Sequence, residues 1–269
     1  MHIVYLLKLC LEKRDIILSL IKREFYARYA GSLLWLAWAY LIPILQIGIY
    51  FLIFGIILEK PLNKISGSHH YYLWLLTGML PWFYFAEIVL AGSTSLIRYS
   101  TLIKKTGFPI DVIAISIFFS AAIKHLIALA IFFIIIPFTN IPFSWGMLEL
   151  GVVFLSLTLF ALGLSYFFSI LTIVLKDLGH ALPIILNFWF FITPAVYSEN
   201  LIEHRWLLTY IIKYLNPMTF PVTFYRDVIT GADRFDLFAA IVFLLISIVT
   251  FYLGYFIFYK TKNYVPDLV

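Results

Sequence analysis

Two charges stand where a charge is expensive to keep. Glu87 and Lys124 each fall inside a long apolar run. Burying one ionised side chain at the centre of a bilayer costs at least about 2.5 kcal/mol. Glu87 lies eleven positions before Arg98, and Lys124 lies thirteen after Asp111. At about 1.5 Å per helical residue, the two depths differ by only about 3 Å. If the two runs are consecutive antiparallel helices, the two side chains meet inside the membrane. A buried pair that sets helix register explains them more simply than a proton or substrate relay.

Other chemistry is sparse. There is no G-x-x-x-x-G-K-[ST] phosphate loop, no G-x-S-x-G, no H-E-x-x-H and no Asp-rich metal motif, so nucleotide, acyl-transfer and metalloprotease chemistry have no motif here. The histidines, His2, His69, His70, His125, His180 and His204, are scattered. His69 and His70 are adjacent, and neither helix nor strand geometry aims both at one metal. The single cysteine, Cys10, excludes an internal disulfide and a Cys-rich metal site. Two groups suit a polar pathway instead. Asn187, Phe190, Phe191 and Pro194 fall at i, i+3, i+4 and i+7, and Trp38, Gln46 and Tyr50 lie loosely on one side of an earlier run. Aromatic faces stack on the C–H groups of sugar rings. Trp and Tyr also gather at membrane interfaces as anchors, so the amides are the stronger candidates for a wet lumen.

The elements that carry these residues follow from composition. Hydrophobic residues make up 63% of the 269-residue chain and charged residues 12%, whereas a soluble domain carries about a quarter charged residues and under half apolar. The solvent implied is a bilayer. The apolar runs are long and continuous, which selects helices over the short alternating segments of a barrel. No separate apolar core with a small-residue cleavage site marks the first 30 residues as a cleavable signal. The net charge of +5 reports topology, with no call for nucleic acid.

The expected fold is all-α: a polytopic membrane protein of six transmembrane helices, with an N-terminal amphipathic interfacial helix and short re-entrant helices before the last span. One membrane domain fills residues 1–269. Residues 1–30 form the cytoplasmic interfacial helix, 33–258 the bundle and 259–269 a cytoplasmic tail. Over residues 2–29, Lys8, Glu12, Asp15, Ser19 and Lys22 recur at steps of three and four, opposite Leu6, Leu9, Ile16, Ile17, Leu20 and Ile21. Such a basic amphipathic helix suits a membrane surface, or an ordinary packed helix. The spans run over about 33–58, 71–97, 112–137, 146–175, 181–197 and 237–258. In the stretch 198–236, residues 206–214 are semi-apolar but Lys213, Asn216, Pro217 and Pro221 interrupt them, which reads as two short helices dipping into the outer leaflet.

Loop cations set orientation. One side holds Lys8, Lys13, Arg14, Lys22, Arg23, Arg28, Arg98, Lys104, Lys105, Lys176, Lys260 and Lys262; the other holds Lys60, Lys64, Arg205, Lys213, Arg226 and Arg234. The richer side is the cytoplasmic one, and it carries both termini.

Several segments now form a familiar order. Residues 22–29 (KREFYARY), then 32–38 (SLLWLAW) and Pro43, resemble the entry into the first span of permease subunits of ATP-binding-cassette exporters for O-antigen, capsule and teichoic acid. Gly78-Met79-Leu80-Pro81-Trp82 resembles that family's Gly-x-x-Pro-Trp segment. Phe108-Pro109 after Lys104-Lys105 resembles its loop between spans two and three. Lys176-Asp177 followed by Phe188 to Tyr197 resembles its fifth-span signature, and Asn216-Pro217-Met218 its Asn-Pro before the last span. The chain departs where the family often has Leu-Gly-x-x-Trp (here Leu34 to Trp38) and a Pro near Val112-Ile113.

The resemblance implies a homodimeric pore in the bacterial cytoplasmic (inner) membrane. It would work with two copies of a separate ATPase that binds ATP and Mg; this chain would carry no cofactor and be no enzyme by itself. The substrate would be an undecaprenyl-linked polysaccharide. Glu24, Arg28, Arg98, Lys104, Lys105, Phe108, Lys176 and Asp177 would couple to the ATPase. Trp38, Gln46, Tyr50, Asn187, Phe190, Phe191 and Tyr197 would face the channel. An exporter of teichoic acid, another lipid or a drug is an alternative. A membrane-embedded transferase acting on lipid-linked sugars is another, with Glu199, Glu203, Asp227, Asp233 and Asp236 as its acids.

Overall fold

A computed structural model describes residues 2–29, 35–57, 71–105, 107–135, 137, 149–197, 204–230 and 236–269; the loop histidines His69 and His70 lie outside the described residues. These form helices joined by turns, with no strand among the described residues. In chain order they are α1 (His2–Glu12), α2 (Arg14–Tyr29), α3 (Trp35–Tyr50, continued by π-helical turns Phe51–Ile57), α4 (Tyr71–Ser93), α5 (Ser95–Arg98), α6 (Ser100–Ile103), α7 (Asp111–Ile135), α8 (Leu150–Val174), α9 (Leu178–Ile192), α10 (Trp206–Tyr210, continued by Ile211–Leu215), α11 (Thr219–Thr230), α12 (Leu237–Thr261) and α13 (Val265–Leu268).

Among the described residues, four helices are long and apolar enough to cross a membrane: α4, α7, α8 and α12. α9 has only 15 residues, about 22 Å against the ~30 Å of a hydrocarbon core. Its end has a local cause. Thr193 is extended, with φ −81° and ψ 136°, because the proline at 194 disfavours the helical region for the residue before it. The helix therefore stops five residues short of the expected Tyr197.

The bundle centres on α4, α8 and α12. α8 and α12 touch backbone to backbone where Gly163 meets Thr250–Phe251; a Cβ on Gly163 would sit 2.6 Å from Phe251 N. With lipid as apolar as leucine, close approach through small residues is what holds such helices together. Trp74, Met79, Phe85, Ile88, Leu157, Phe160 and Phe190 fill the middle.

The two ends of the bundle are distinct. At one, Leu9, Ile17, Ile103, Ile110, Ile113, Ile173, Phe258 and Val265 share one cluster. This gathers α1, α2, the 98–111 connection, the start of α7, the end of α8 and the end of α12. The 176–180 link joins them, since Gly179 lies against Thr94 and Thr172. At the opposite end, Leu80, Phe132, Leu150, Val153, Phe224 and Val228 form a separate cluster, which places α11 there. The segments expected on one side thus lie at one end.

The N-terminal segment differs from a single helix on a lipid surface. It divides into α1 and α2 at Lys13, although hydrogen bonds from Lys13 N to Leu9 O (2.9 Å) and Ile17 N to Lys13 O (3.0 Å) bridge the division. Its apolar face, Leu9, Ile17, Leu20 and Ile21, is buried against α7 and the 98–113 region. Lys8, Glu12, Asp15, Ser19 and Lys22 stay exposed. Ile113, Ile115 and Ile117 of α7 share the cluster that holds these four apolar side chains, while Leu11 and Leu18 stay exposed.

Candidate functional site

The basic end carries a built polar centre. Glu24 on α2 is buried (5% exposed) and accepts a hydrogen bond from Tyr99 Oη at 2.6 Å and from Arg98 Nη2 at 2.8 Å. Arg98 also donates to Ala91 O at 3.2 Å, and the guanidinium groups of Arg23 and Arg98 lie 5.1 and 5.3 Å from the Tyr99 ring. Burial, followed by the hydrogen bond and charge of Glu24, raises the Tyr99 phenol above its ordinary range. It therefore remains a donor at neutral pH. Two donors converging on one buried carboxylate fasten α2 to the 98–111 connection.

Beside this centre lies a shallow groove of about 390 Å³ lined by Asp15, Ile16, Ser19, Leu20, Arg23, Leu102 and Phe108. Lys104 and Lys105 are exposed in the turn between its lining residues Leu102 and Phe108. Gly107 has φ +76°, a left-handed conformation that suits glycine and lets Phe108 fold back so that its N–H reaches Lys105 O at 3.2 Å. Lys176 and Asp177 are exposed in the link before α9. Arg28 lies in the last turn of α2, and its side chain lies outside the described residues.

Above this end, Lys124 on α7 donates to Glu87 on α4. Their side chains are 13% and 20% exposed. Phe25 of α2 presents its ring 5.2 Å from the Lys124 ammonium, so the pair ties three helices together.

The channel candidates do not share one environment. Tyr50 meets Phe190 and Phe191, with centroids 5.4 and 6.4 Å apart. Phe190 is buried (3% exposed) among core residues, while Phe191 is 48% exposed, and Asn187, Gln46 and Trp38 are exposed. The buried stripe of α9 is Leu182, Leu186 and Phe190, at steps of four. At 100° per residue Phe190 sits about 60° from Asn187 and towards that stripe, whereas Phe191 sits within about 40°. Tyr197 is half-buried and donates to Ile192 O at 2.9 Å.

The opposite end holds groups that composition and spacing did not single out. Arg226 of α11, counted with loop cations in the sequence, is 5% exposed. Its Nη2 donates to Pro194 O and Ala195 O, each at 2.9 Å, and its guanidinium lies 3.4 Å from the Trp74 ring centroid. Gly78 makes room for it: a Cβ there would sit 2.9 Å from Ala195 O and run into the guanidinium. Asn216 Oδ1 accepts from Trp189 Nε1 (2.9 Å) and Met218 N (3.1 Å), while its Nδ2 donates to Thr193 Oγ1 (2.9 Å). Trp82 packs against Trp189 and Phe190, at 6.0 and 5.5 Å. The Gly-x-x-Pro-Trp, fifth-span and Asn-Pro segments therefore converge on one place. Deeper in, His125 Nε2 and Tyr225 Oη are 3.0 Å apart.

Of the acids weighed for transferase chemistry, Glu199, Glu203 and Asp233 lie outside the described residues. Asp236 caps α12 by accepting from Ala239 N at 3.0 Å. Among the described residues no three His, Cys, Asp or Glu gather as a metal site.

The profile of the ABC-2 type transporter family matches residues 16–230. Three curated relatives carry the same name, O-antigen export system permease protein RfbA. One, from Myxococcus xanthus, is 27% identical over 216 residues, covering 80% of each chain. Two are from Klebsiella pneumoniae: one 25% identical over 255 residues, covering 92% of each chain, and one 25% identical over 219 residues, covering 79% of each.

Proposed function

The chain belongs to the ABC-2 type transporter family, and from that premise we propose that it is the permease half of an ATP-driven exporter of a lipid-linked, O-antigen-like polysaccharide. The named relatives point to that cargo class; an undecaprenyl-type carrier is the lipid that fits it. In this reading two copies assemble in the bacterial cytoplasmic membrane with two ATPase subunits, which bind ATP and Mg.

The observation that carries the reading is the groove at the basic end. It lies between a helix clamped by Glu24 and a loop rimmed by Lys104 and Lys105. Its floor is apolar and its rim charged, as a docking surface requires. Closure of the ATPases would press on the 98–111 connection. Glu24 would pass the movement to α2, and from α2 to α3. The centre of one chain is filled by Met79, Phe85, Phe160 and Trp189, which supports a lumen between two copies. The exposed Asn187 and Phe191 of α9 and Gln46 of α3 would then border that lumen. In this reading α3 with its π-helical turns makes one further crossing and α9, carried on by residues 193–197, makes another, giving six, with α10 and α11 as short re-entrant helices at the outer mouth. Both termini are then cytoplasmic.

The test is charge reversal at Lys104 and Lys105 together. Both are exposed, so the fold is retained, while co-purification with the ATPase and appearance of polysaccharide at the cell surface fall. Unchanged association and export would overturn the docking role.

A further inference from the structure

We propose that the C-terminal tail braces the 98–111 connection, with Lys262 as the positioning residue. This rests on the reading of that connection as the ATPase-docking element. Lys262 Nζ lies 2.8 Å from Asp111 Oδ2, and Tyr255 Oη donates to Asp111 Oδ1 at 3.4 Å. Asp111 is 2% exposed. It is the first residue of α7, and Lys262 caps the C-terminus of α12. Each charge therefore sits at the helix end whose dipole favours it, and the two ends meet.

The tail continues inward from there. Tyr264 N donates to Thr261 O at 2.9 Å, and Val269 N to Val265 O at 3.2 Å. Val265 is fully buried in the cluster that holds Ile103 and Ile110 of the docking connection, and α13 packs on α6. The Lys262 ammonium also lies 5.4 Å from the Tyr5 ring of α1. Three segments far apart in sequence thus close around one lysine. Burying an acid and a base costs desolvation that the geometry of the pair must offset. The geometry held here makes α12 move with the docking connection. α12 in turn abuts α8 backbone to backbone at Gly163 and Gly254, so displacement of the loop reaches the bundle centre without passing through α4.

The test uses the whole permease chain co-expressed with its ATPase, with Thr101→Cys, an exposed position of α6, as a crosslinking probe on the 98–111 connection. Wild-type background, Lys262→Gln and the charge-keeping Lys262→Arg are compared. Crosslink yield, ATP hydrolysis by the purified complex and surface polysaccharide on cells are read in parallel. We expect Lys262→Gln to keep the crosslink and ATP hydrolysis but to lower polysaccharide export per ATP by about fivefold or more, the lower range of energetic coupling between sites. Lys262→Arg keeps at least half of that export. Full export by Lys262→Gln, or a Lys262→Arg variant no better than it, overturns the brace while leaving docking intact. Absence of a crosslink in the wild-type background sinks the docking reading and the brace with it.

Discussion

The Glu87–Lys124 pair permits a prediction with a definite magnitude. Both side chains are largely enclosed, and Phe25 covers the ammonium. Removing one partner strands the other charge, which costs about 3–5 kcal/mol for a buried pair. The residual exposure of Glu87 puts the loss near the lower figure. Lys124→Met should therefore destabilise by ~3 kcal/mol, and Glu87→Leu by a similar amount. Replacing both at once removes two desolvated charges and fills the space with side chains of comparable volume, and such replacements are often neutral. The double variant should then lie within about 1 kcal/mol of wild type, a non-additivity far above the ~0.5 kcal/mol seen for independent sites. The assay is unfolding in mixed micelles titrated with denaturing detergent, read by tryptophan fluorescence. If each single variant costs under ~1 kcal/mol and the double equals their sum, the two side chains do not form a coupled unit. Export in the double variant separates a register pair from a relay: a register pair keeps transport, a relay loses it.

Three further outcomes follow from the same contacts. Gly78→Ala should destabilise by about 1–3 kcal/mol through overpacking against Arg226; in an Arg226→Ala background the added penalty should shrink, because the guanidinium it strikes is gone. Asn216→Ala leaves the Trp189 indole N–H and Thr193 hydroxyl without the amide, at about 1–3 kcal/mol, with faster proteolysis of 204–230 as the check. Because the raised Tyr99 phenol keeps its proton in the folded chain while an unfolded tyrosine ionises near pH 10, its contribution is fully present below that pH. It is lost as pH rises further, by up to ~1.4 kcal/mol per unit. Tyr99→Phe should lower stability at neutral pH and flatten this alkaline loss in pH-dependent unfolding.

The polar groups differ in how far a linear reading reaches them. Glu87 and Lys124 are legible because their depth depends on helix rise alone, a local quantity. The buried face of α1 and α2 is legible for the same reason, but its cover is not: the same stripe fits lipid or protein. Phe190 and Phe191 show the limit of face assignments. One position of helical rotation separates a core ring from an exposed one, and α9 stops early at Thr193 because of Pro194. Arg226 shows a larger gap. In a polar, proline-interrupted segment it reads as a loop cation, yet Trp74 and two backbone carbonyls bring it inside. Nothing near it in sequence marks these partners.

Composition and run length by themselves determined the solvent, the all-helical class and the positions of the long helices, because each follows from the need of every backbone amide for a partner within its own segment. Motif order determined the family. The tertiary structure alone decided which charges meet across more than a hundred residues, as with Asp111 and Lys262, and how closely α8 and α12 approach. Those depend on the packing of whole helices, to which local periodicity is blind.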